Sequence, residues 1–344
     1  MIKSLDNNLD IEVQTIVNNL YVPWAIAISD DDTIYFTERS GNIKMIKRGT
    51  NMPQLIFTFT EPFIAVGEGG ALGLALDPEF SQNNYMYVMH TYMEEEQTYN
   101  RVVRLRLQGG EAFVDQVLID RIPGGRTHNG GRIKIGPDQK LYITTGDAGD
   151  PMQAQDPNSL AGKILRINLD GTIPEDNPFS NSPVYSLGYR NPQGLAWNTN
   201  GLLYASEHGP IAHDEINIVL PGANYGWPLV QGDEESSDRT VTSPLIQSGE
   251  ETWAPSGIAF ADRGVWQGRL LAATLRGNRL IVMDLNEEGT QVINVGNWLQ
   301  DTYGRLREVV QANDGSFYLA TNNTDGRGSS RSGGDKIIHL TVRT

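Results

Sequence analysis

Ala25-Ile26-Ala27-Ile28, a turn at Asp30-Asp31-Asp32, then Ile34-Tyr35-Phe36-Thr37-Glu38 and a Gly41 turn into residues 43–46 form a unit that this chain repeats. Apolar residues alternate at period two within each run, and Gly, Asn and Asp punctuate them, which is the pattern of short antiparallel strands. The same order of alternating run, turn and apolar strand, with Tyr or Leu at the strand's second position, recurs around Tyr87, Tyr142, Tyr204, Leu271 and Tyr318. Around Tyr142, Ile133 and Ile135 lead through Gly136-Pro137-Asp138 into residues 141–145 and then 164–169. At roughly 40 to 50 residues per copy plus loop insertions, the spacing is that of propeller blades, each a small antiparallel sheet. The repeats predict an all-β, six-bladed β-propeller of four-stranded antiparallel sheets.

The last copy offers only three good strands, at 309–310, 317–321 and 337–342, whereas residues 11–17 form an alternating strand ahead of the first copy. That N-terminal strand is expected to complete the last sheet, closing the ring without an exposed edge. No linker, low-complexity tract or composition shift divides the chain, so residues 1–344 read as a single propeller domain.

Composition narrows the function classes. With 27 Lys+Arg against 42 Asp+Glu, the net charge of −15 repels phosphate backbones and anionic lipid, so nucleic acid is not an expected partner. There is no cysteine, hence no disulfide, thiolate nucleophile or Fe–S cluster. No apolar stretch approaches the roughly 20 residues of a spanning helix, so no membrane span is expected. Residues 1–10 have neither the charged start nor the apolar run of a signal peptide, and the chain is expected to be cytosolic or a mature form whose leader has been removed. The acidic runs Glu94-Glu95-Glu96 and Asp233-Glu234-Glu235 read as solvated loop charge.

Propellers bind ligands at the mouth of the central channel, on loops from several blades. Ahead of the third copy stands Gly124-Gly125-Arg126-Thr127-His128-Asn129-Gly130-Gly131. A histidine between paired glycines sits on backbone that can approach a ligand closely, and neutral His is the usual general base near pH 7; a turn histidine held by local backbone is the plainer alternative. Ahead of the fourth copy comes Gly188-Tyr189-Arg190-Asn191, and after its central strand Glu207-His208-Gly209-Pro210 with His213-Asp214-Glu215. Gly-Pro carbonyls with little side-chain cover suit a hard cation such as Ca²⁺, or merely turn the chain. His208 and His213 share no helix face and lack a third partner, which argues against zinc. Gly67-Glu68-Gly69-Gly70 precedes the second copy, and Arg305-x-Arg307 enters the sixth. On a regular strand those two arginines lie on one face and form a donor fork for carboxylates, with surface salt-bridging as the alternative. Together with Arg126, Arg190 and Arg276, they suggest a cationic mouth in an acidic protein, suited to a small polyanion.

At these residues the chain resembles the soluble quinoprotein glucose/sorbosone dehydrogenase family, the aldose sugar dehydrogenases that carry pyrroloquinoline quinone (PQQ). The resemblance runs from about Val22 to Leu340 through VPWAIAI, GEGGALGLALDPEF, HNGGRIKIGPDQKLYITTGD, GYRNPQGLAW, EHGP with DEIN, NYGWP, WAPSGIAF and LREVVQANDGSFYLATN. It implies a six-bladed propeller with PQQ over the channel mouth, whose three carboxylates account for the arginines. It further implies that His128 is the general base for the anomeric hydroxyl while hydride passes from the sugar C1 to PQQ. By the same resemblance Arg190 would stabilise the developing oxyanion, Asn191 would contact the cofactor, and the Gly209 and Pro210 carbonyls would hold Ca²⁺ as a Lewis acid. Asp214 would stand behind them, orienting His128 or the metal's waters. Arg276, Arg305 and Arg307 would pair with the PQQ carboxylates, with Thr252 also at the cofactor. Glu68 stands where the best-known glucose enzyme has glutamine, so its charge needs the metal, the sugar or a neighbouring cation. Arg276 stands where lysine is common. The insertions at 92–100 and 232–251 would set sugar selectivity.

The implied activity is oxidation of aldoses at C1 to lactones, outside the cytoplasmic membrane, with an external electron acceptor that the sequence does not name. Two rivals come from other classes: a Ca²⁺-dependent propeller lactonase or esterase, which would hold calcium with side chains and need no carboxylate-binding arginines, and a non-catalytic sugar- or protein-binding propeller.

Overall fold

A computed structural model describes residues 3–4, 9–232, 240–329 and 332–343. Six antiparallel sheets form the ring, each beginning with its innermost strand. Blade one is Pro23–Ile28, Ile34–Glu38, Asn42–Ile46 and Gln54–Thr58; blade two is Ala71–Leu76, Tyr85–Glu94, Gln97–Gln108 and Glu111–Pro123. Blade three is Ile133–Ile135, Leu141–Thr145, Lys163–Ile167 and Val184–Leu187; blade four is Pro192–Trp197, Leu203–Glu207, Glu215–Val219 and Ile246–Gln247. Blade five is Pro255–Phe260, Arg269–Thr274, Leu280–Leu285 and Val292–Trp298, joined in parallel by Lys3–Ser4, a pairing the sequence did not suggest. Blade six is Leu306–Gln311, Phe317–Thr321 and Asp335–Arg343, completed by Asp10–Leu20.

That last pairing closes the ring as expected, over a longer strand than residues 11–17. Ile11 stands opposite Val342 and Val13 opposite Leu340, while Val17 and Leu20 pack with Ile337 against Ile26, Ile34 and Phe36 of blade one. The core is therefore not one mass but a set of apolar layers, one between each pair of neighbouring blades. Alternation along one strand serves two layers: Ile34 and Phe36 face blade six, and Tyr35 faces blade two. Inner strands touch backbone to backbone. A Cβ on Gly73 would lie 2.3 Å from the Gly131 carbonyl oxygen, so only glycine fits there.

One expectation fails in blade two. Residues 92–100 are not an inserted loop but the tip of a hairpin between two long strands, with Tyr92 opposite Tyr99 and Glu94 opposite Gln97. Glu95 and Glu96 both have positive φ, 49° and 65°, as a two-residue hairpin turn requires. The Asp233-Glu234-Glu235 run lies outside the described residues, as does part of 232–251.

The channel is filled rather than open. Most inner strands carry a register shift near their first residues, at Pro23/Ala25, Pro192/Gly194, Pro255/Ile258 and Leu306/Glu308 among others. Such bulges re-aim side chains. The Arg132 guanidinium lies 4.3 Å from the centre of the Trp24 ring, donates to the Gln193 carbonyl at 2.8 Å, and pairs with the buried Glu308 carboxylate. Arg307 donates to Gln193 Oε1 at 2.6 Å and Ser256 Oγ at 3.2 Å. This polar plug is the floor of the front mouth.

Candidate active site

His128 sits in the left-handed region (φ 56°) just before Gly130 and Gly131, on the loop entering blade three. Gly130 is held there because a Cβ would meet the Thr144 carbonyl at 2.6 Å. The His128 N–H donates to Glu68 Oε2 at 2.8 Å, and the ring Nδ1 lies 2.7 Å from Asp147 Oδ1. Asp147 also accepts from Gly149 N at 2.8 Å and, on its other oxygen, from Trp227 Nε1 at 2.9 Å. Burial alone would raise the Asp147 pKa, but the His128, Gly149 and Trp227 donors outweigh it and hold the carboxyl below its usual range. An ionised Asp147 assigns the proton to Nδ1 and leaves Nε2 as the acceptor.

Arg190 stands beside this pair. Its guanidinium lies 5.5 Å from the Trp227 ring centre, and its Nη1 donates to the Gly209 carbonyl at 2.9 Å. Its own carbonyl accepts from Asp147 N at 2.8 Å. Asn191 Oδ1 accepts from Gly130 N at 3.0 Å, tying the blade-four loop to the histidine loop. Glu68, His128, Asp147, Arg190, Trp227 and Gly209 are thus one connected set.

The Gly209–Pro210 turn is supported from behind by Asp214, which accepts from Gly209 N at 2.9 Å, Trp253 N at 2.7 Å and Ala254 N at 2.9 Å. Of the two tasks expected of Asp214, orienting His128 therefore falls to Asp147, because Asp214 has both oxygens committed to backbone around the turn. Glu207 and Glu215 lie buried under the same turn, and burial first, then their mutual proximity, pushes Glu207 upward; Glu215 is pushed up to about 7. No group of three or more His, Asp or Glu side chains is placed to hold a metal among the described residues. The Gly209 oxygen accepts a cationic donor, and carboxylates stand behind it; a hard cation held by backbone oxygens fits this donor set. Thr252 donates to the Ile211 carbonyl at 2.6 Å, beside the same turn.

The arginine fork is built differently from the expectation. Arg305 precedes the strand and Arg307 lies at the Leu306/Glu308 bulge, so strand alternation does not relate them. Arg305 Nη2 pairs with Asp325 at 3.1 Å, whereas Arg307 sinks into the channel plug; both hydrogen-bond Asn322, Arg305 at its carbonyl and Arg307 at its Oδ1. Among the described residues no carboxylate hydrogen-bonds Arg307, and burial first, then Arg305, pull its pKa down to about 9. Arg276 is exposed, with no side-chain partner among the described residues, and lines with Arg305 and Arg327 a cavity of about 230 Å³. Three arginines at one cavity, Arg276 without a carboxylate partner among the described residues, fit a polyanionic ligand. A larger cavity of about 820 Å³, lined by Asp32, Arg48 and Tyr318 among others, lies at the seam of blades six and one and touches none of these residues.

The cation that Glu68 needs is Arg327, whose guanidinium reaches across from blade six to Glu68 Oε1. Burial would raise the Glu68 pKa, but Arg327 and the His128 N–H hold it below the ordinary glutamate value. Asp147, Trp227 and Arg327 were not assigned roles from sequence. The first two stand in the TTGD and NYGWP stretches, at strand-end and turn positions where functional loops begin; Arg327, flanked by glycines, carried no signal.

The glucose/sorbosone dehydrogenase family model matches residues 20–331. The PQQ-bound form of aldose sugar dehydrogenase from Streptomyces coelicolor superposes with a TM-score of 0.90 at 36% identity, covering 98% of this chain and 99% of that one. A putative oxidoreductase (glucose dehydrogenase) from Thermus thermophilus gives 0.89 at 41% identity, with 96% and 100% covered. Quinoprotein glucose dehydrogenase B of Acinetobacter calcoaceticus is 37% identical over 80% of this chain and 65% of its own length.

Proposed function

This chain belongs to the glucose/sorbosone dehydrogenase family, and we propose that it is a quinoprotein enzyme, one propeller domain, that oxidises aldose sugars at C1 to lactones with PQQ and Ca²⁺. The observation that carries the reading is the His128–Asp147 pair set beside a cluster of arginines, of which Arg276 and Arg307 have no carboxylate ion pair among the described residues. When bound, PQQ supplies a two-electron acceptor and Ca²⁺ a Lewis acid.

The chain's own residues then have distinct tasks. His128 takes the proton of the anomeric hydroxyl at Nε2, and Asp147 stabilises the imidazolium that results, fixing the ring by its contact at Nδ1. Arg190, held over Trp227, would place its guanidinium against the bound cofactor, where it would favour negative charge. Arg276, Arg305 and Arg307 hold the cofactor carboxylates, and Asn191, Thr252 and Glu68 border the cofactor. The carbonyls of Gly209 and Pro210 hold the metal, with Asp214 keeping the turn in shape. We place the enzyme outside the cytoplasmic membrane; among the described residues no helix is long and apolar enough to cross one.

Protein freed of metal and cofactor, reconstituted with PQQ and Ca²⁺ and assayed by dye reduction with glucose and other aldoses, should turn over, and H128A should lose that activity. No turnover with any aldose, or unchanged turnover in H128A, would overturn the proposal.

A further inference from the structure

The ring has a second mouth, opposite the loops described above. There the ends of the inner strands, with Ile28, Leu76, Lys134, Trp197, Phe260 and Gln311 each from a different blade, enclose a cavity of about 380 Å³. That is the size of a small-molecule site. Most of the side chains at its wall are aliphatic or aromatic, polar groups make up the larger part of its exposed surface, and Lys134 is its one cation among the described residues.

Lys134 is half-buried, and its ammonium has neither a hydrogen bond nor an ion pair with any described residue. The acid that acts on it is Glu308, which Arg132 already pairs. Along the channel, Arg132 and Lys134 are thus set against the carboxylate of Glu308, while the acid that acts on Arg307 is Asp325. A partly desolvated ammonium with no direct ion pair is costly, and burial accordingly pulls the Lys134 pKa down against the attraction of Glu308. An anion at the rear mouth would offset the cost.

We propose that the rear mouth binds a small amphipathic carboxylate, aryl or alkyl, with its carboxylate on Lys134 and its apolar body against Ile28, Leu76, Trp197 and Phe260. An inorganic anion would leave the aliphatic and aromatic side chains of the mouth unused, and a neutral sugar would leave the Lys134 charge unmatched. The site is independent of the front mouth, so the proposal does not rest on the sugar chemistry.

Calorimetric titration with octanoate, using the purified protein with and without added PQQ and Ca²⁺, tests it. The wild type should bind one octanoate per chain in both cases, octan-1-ol should bind about tenfold more weakly or worse, and K134M should lose affinity by about tenfold or more. K134R should stay within about threefold of wild type, and R305A, altered only at the front mouth, should bind as wild type does. Should K134M fail to fold, Leu76→Glu, which brings a carboxylate into the mouth, must show the same loss. Absence of binding at millimolar octanoate, equal binding by K134M, equal binding of octanol, or loss of binding in R305A would each overturn the proposal.

Discussion

His128 Nδ1 lies 2.7 Å from Asp147 Oδ1, although 19 residues separate them in the chain. The contact joins the loop entering blade three to the end of that blade's second strand, and fixes which ring nitrogen faces the site. D147N keeps the shape but loses the charge that favours imidazolium. Its kcat should fall by about 10² to 10⁴ with PQQ affinity nearly unchanged; steady-state kinetics beside a cofactor titration would check this, and a loss confined to PQQ affinity would refute it.

The same carboxylate carries a stability prediction. Its pKa is depressed in the folded state, so its contribution is present above the unfolded value of about 3.9 and is lost as pH falls through the folded value. The difference in Tm between wild type and D147N should therefore be steady from neutral pH down to about 4 and shrink below it. Thermal scans across that range decide the matter; a gap that widens in acid would contradict it.

Arg327 neutralises Glu68 at the edge of the cofactor mouth. R327A leaves a bare carboxylate facing a trianion and should weaken PQQ binding by about tenfold, while the double variant E68Q/R327A should recover most of that loss. Binding isotherms for the four members of the cycle are the check, and additive losses would refute the coupling.

In the plug, Glu308 is fully buried and pairs with Arg132, itself 1% exposed. Removing one partner strands a buried charge. E308A should cost about 3 to 5 kcal/mol in urea unfolding, and a cost below about 1 kcal/mol would mean that the plug relaxes or hydrates.

Much of this was legible in the chain. Strands such as Ile34–Glu38 are buried on both faces between neighbouring blades, which concentrates Ile, Tyr and Phe at repeating positions and makes the blades countable. His128, Arg190 and the Gly209–Pro210 turn stood out because they sit at strand ends, where a propeller presents its loops. The partner of His128 did not, since ring closeness between Asp147 and the His128 loop leaves no spacing rule. The hairpin at Glu95 and Glu96 was hidden because glutamate occupies positive-φ positions where Asn or Gly is the usual sign. Arg305-x-Arg307 looks like one fork in the sequence because a bulge breaks strand alternation without marking the residues.

The most direct test of the central claim is the absorption spectrum of the metal-free, cofactor-free protein titrated with PQQ and Ca²⁺, recorded before and after adding glucose or another aldose. Saturable, Ca²⁺-dependent uptake of PQQ followed by sugar-dependent reduction of its spectrum in wild type, with uptake but no rapid reduction in H128A, is the predicted result. Failure to take up PQQ, or a bound PQQ spectrum unaltered by every aldose, would contradict the account.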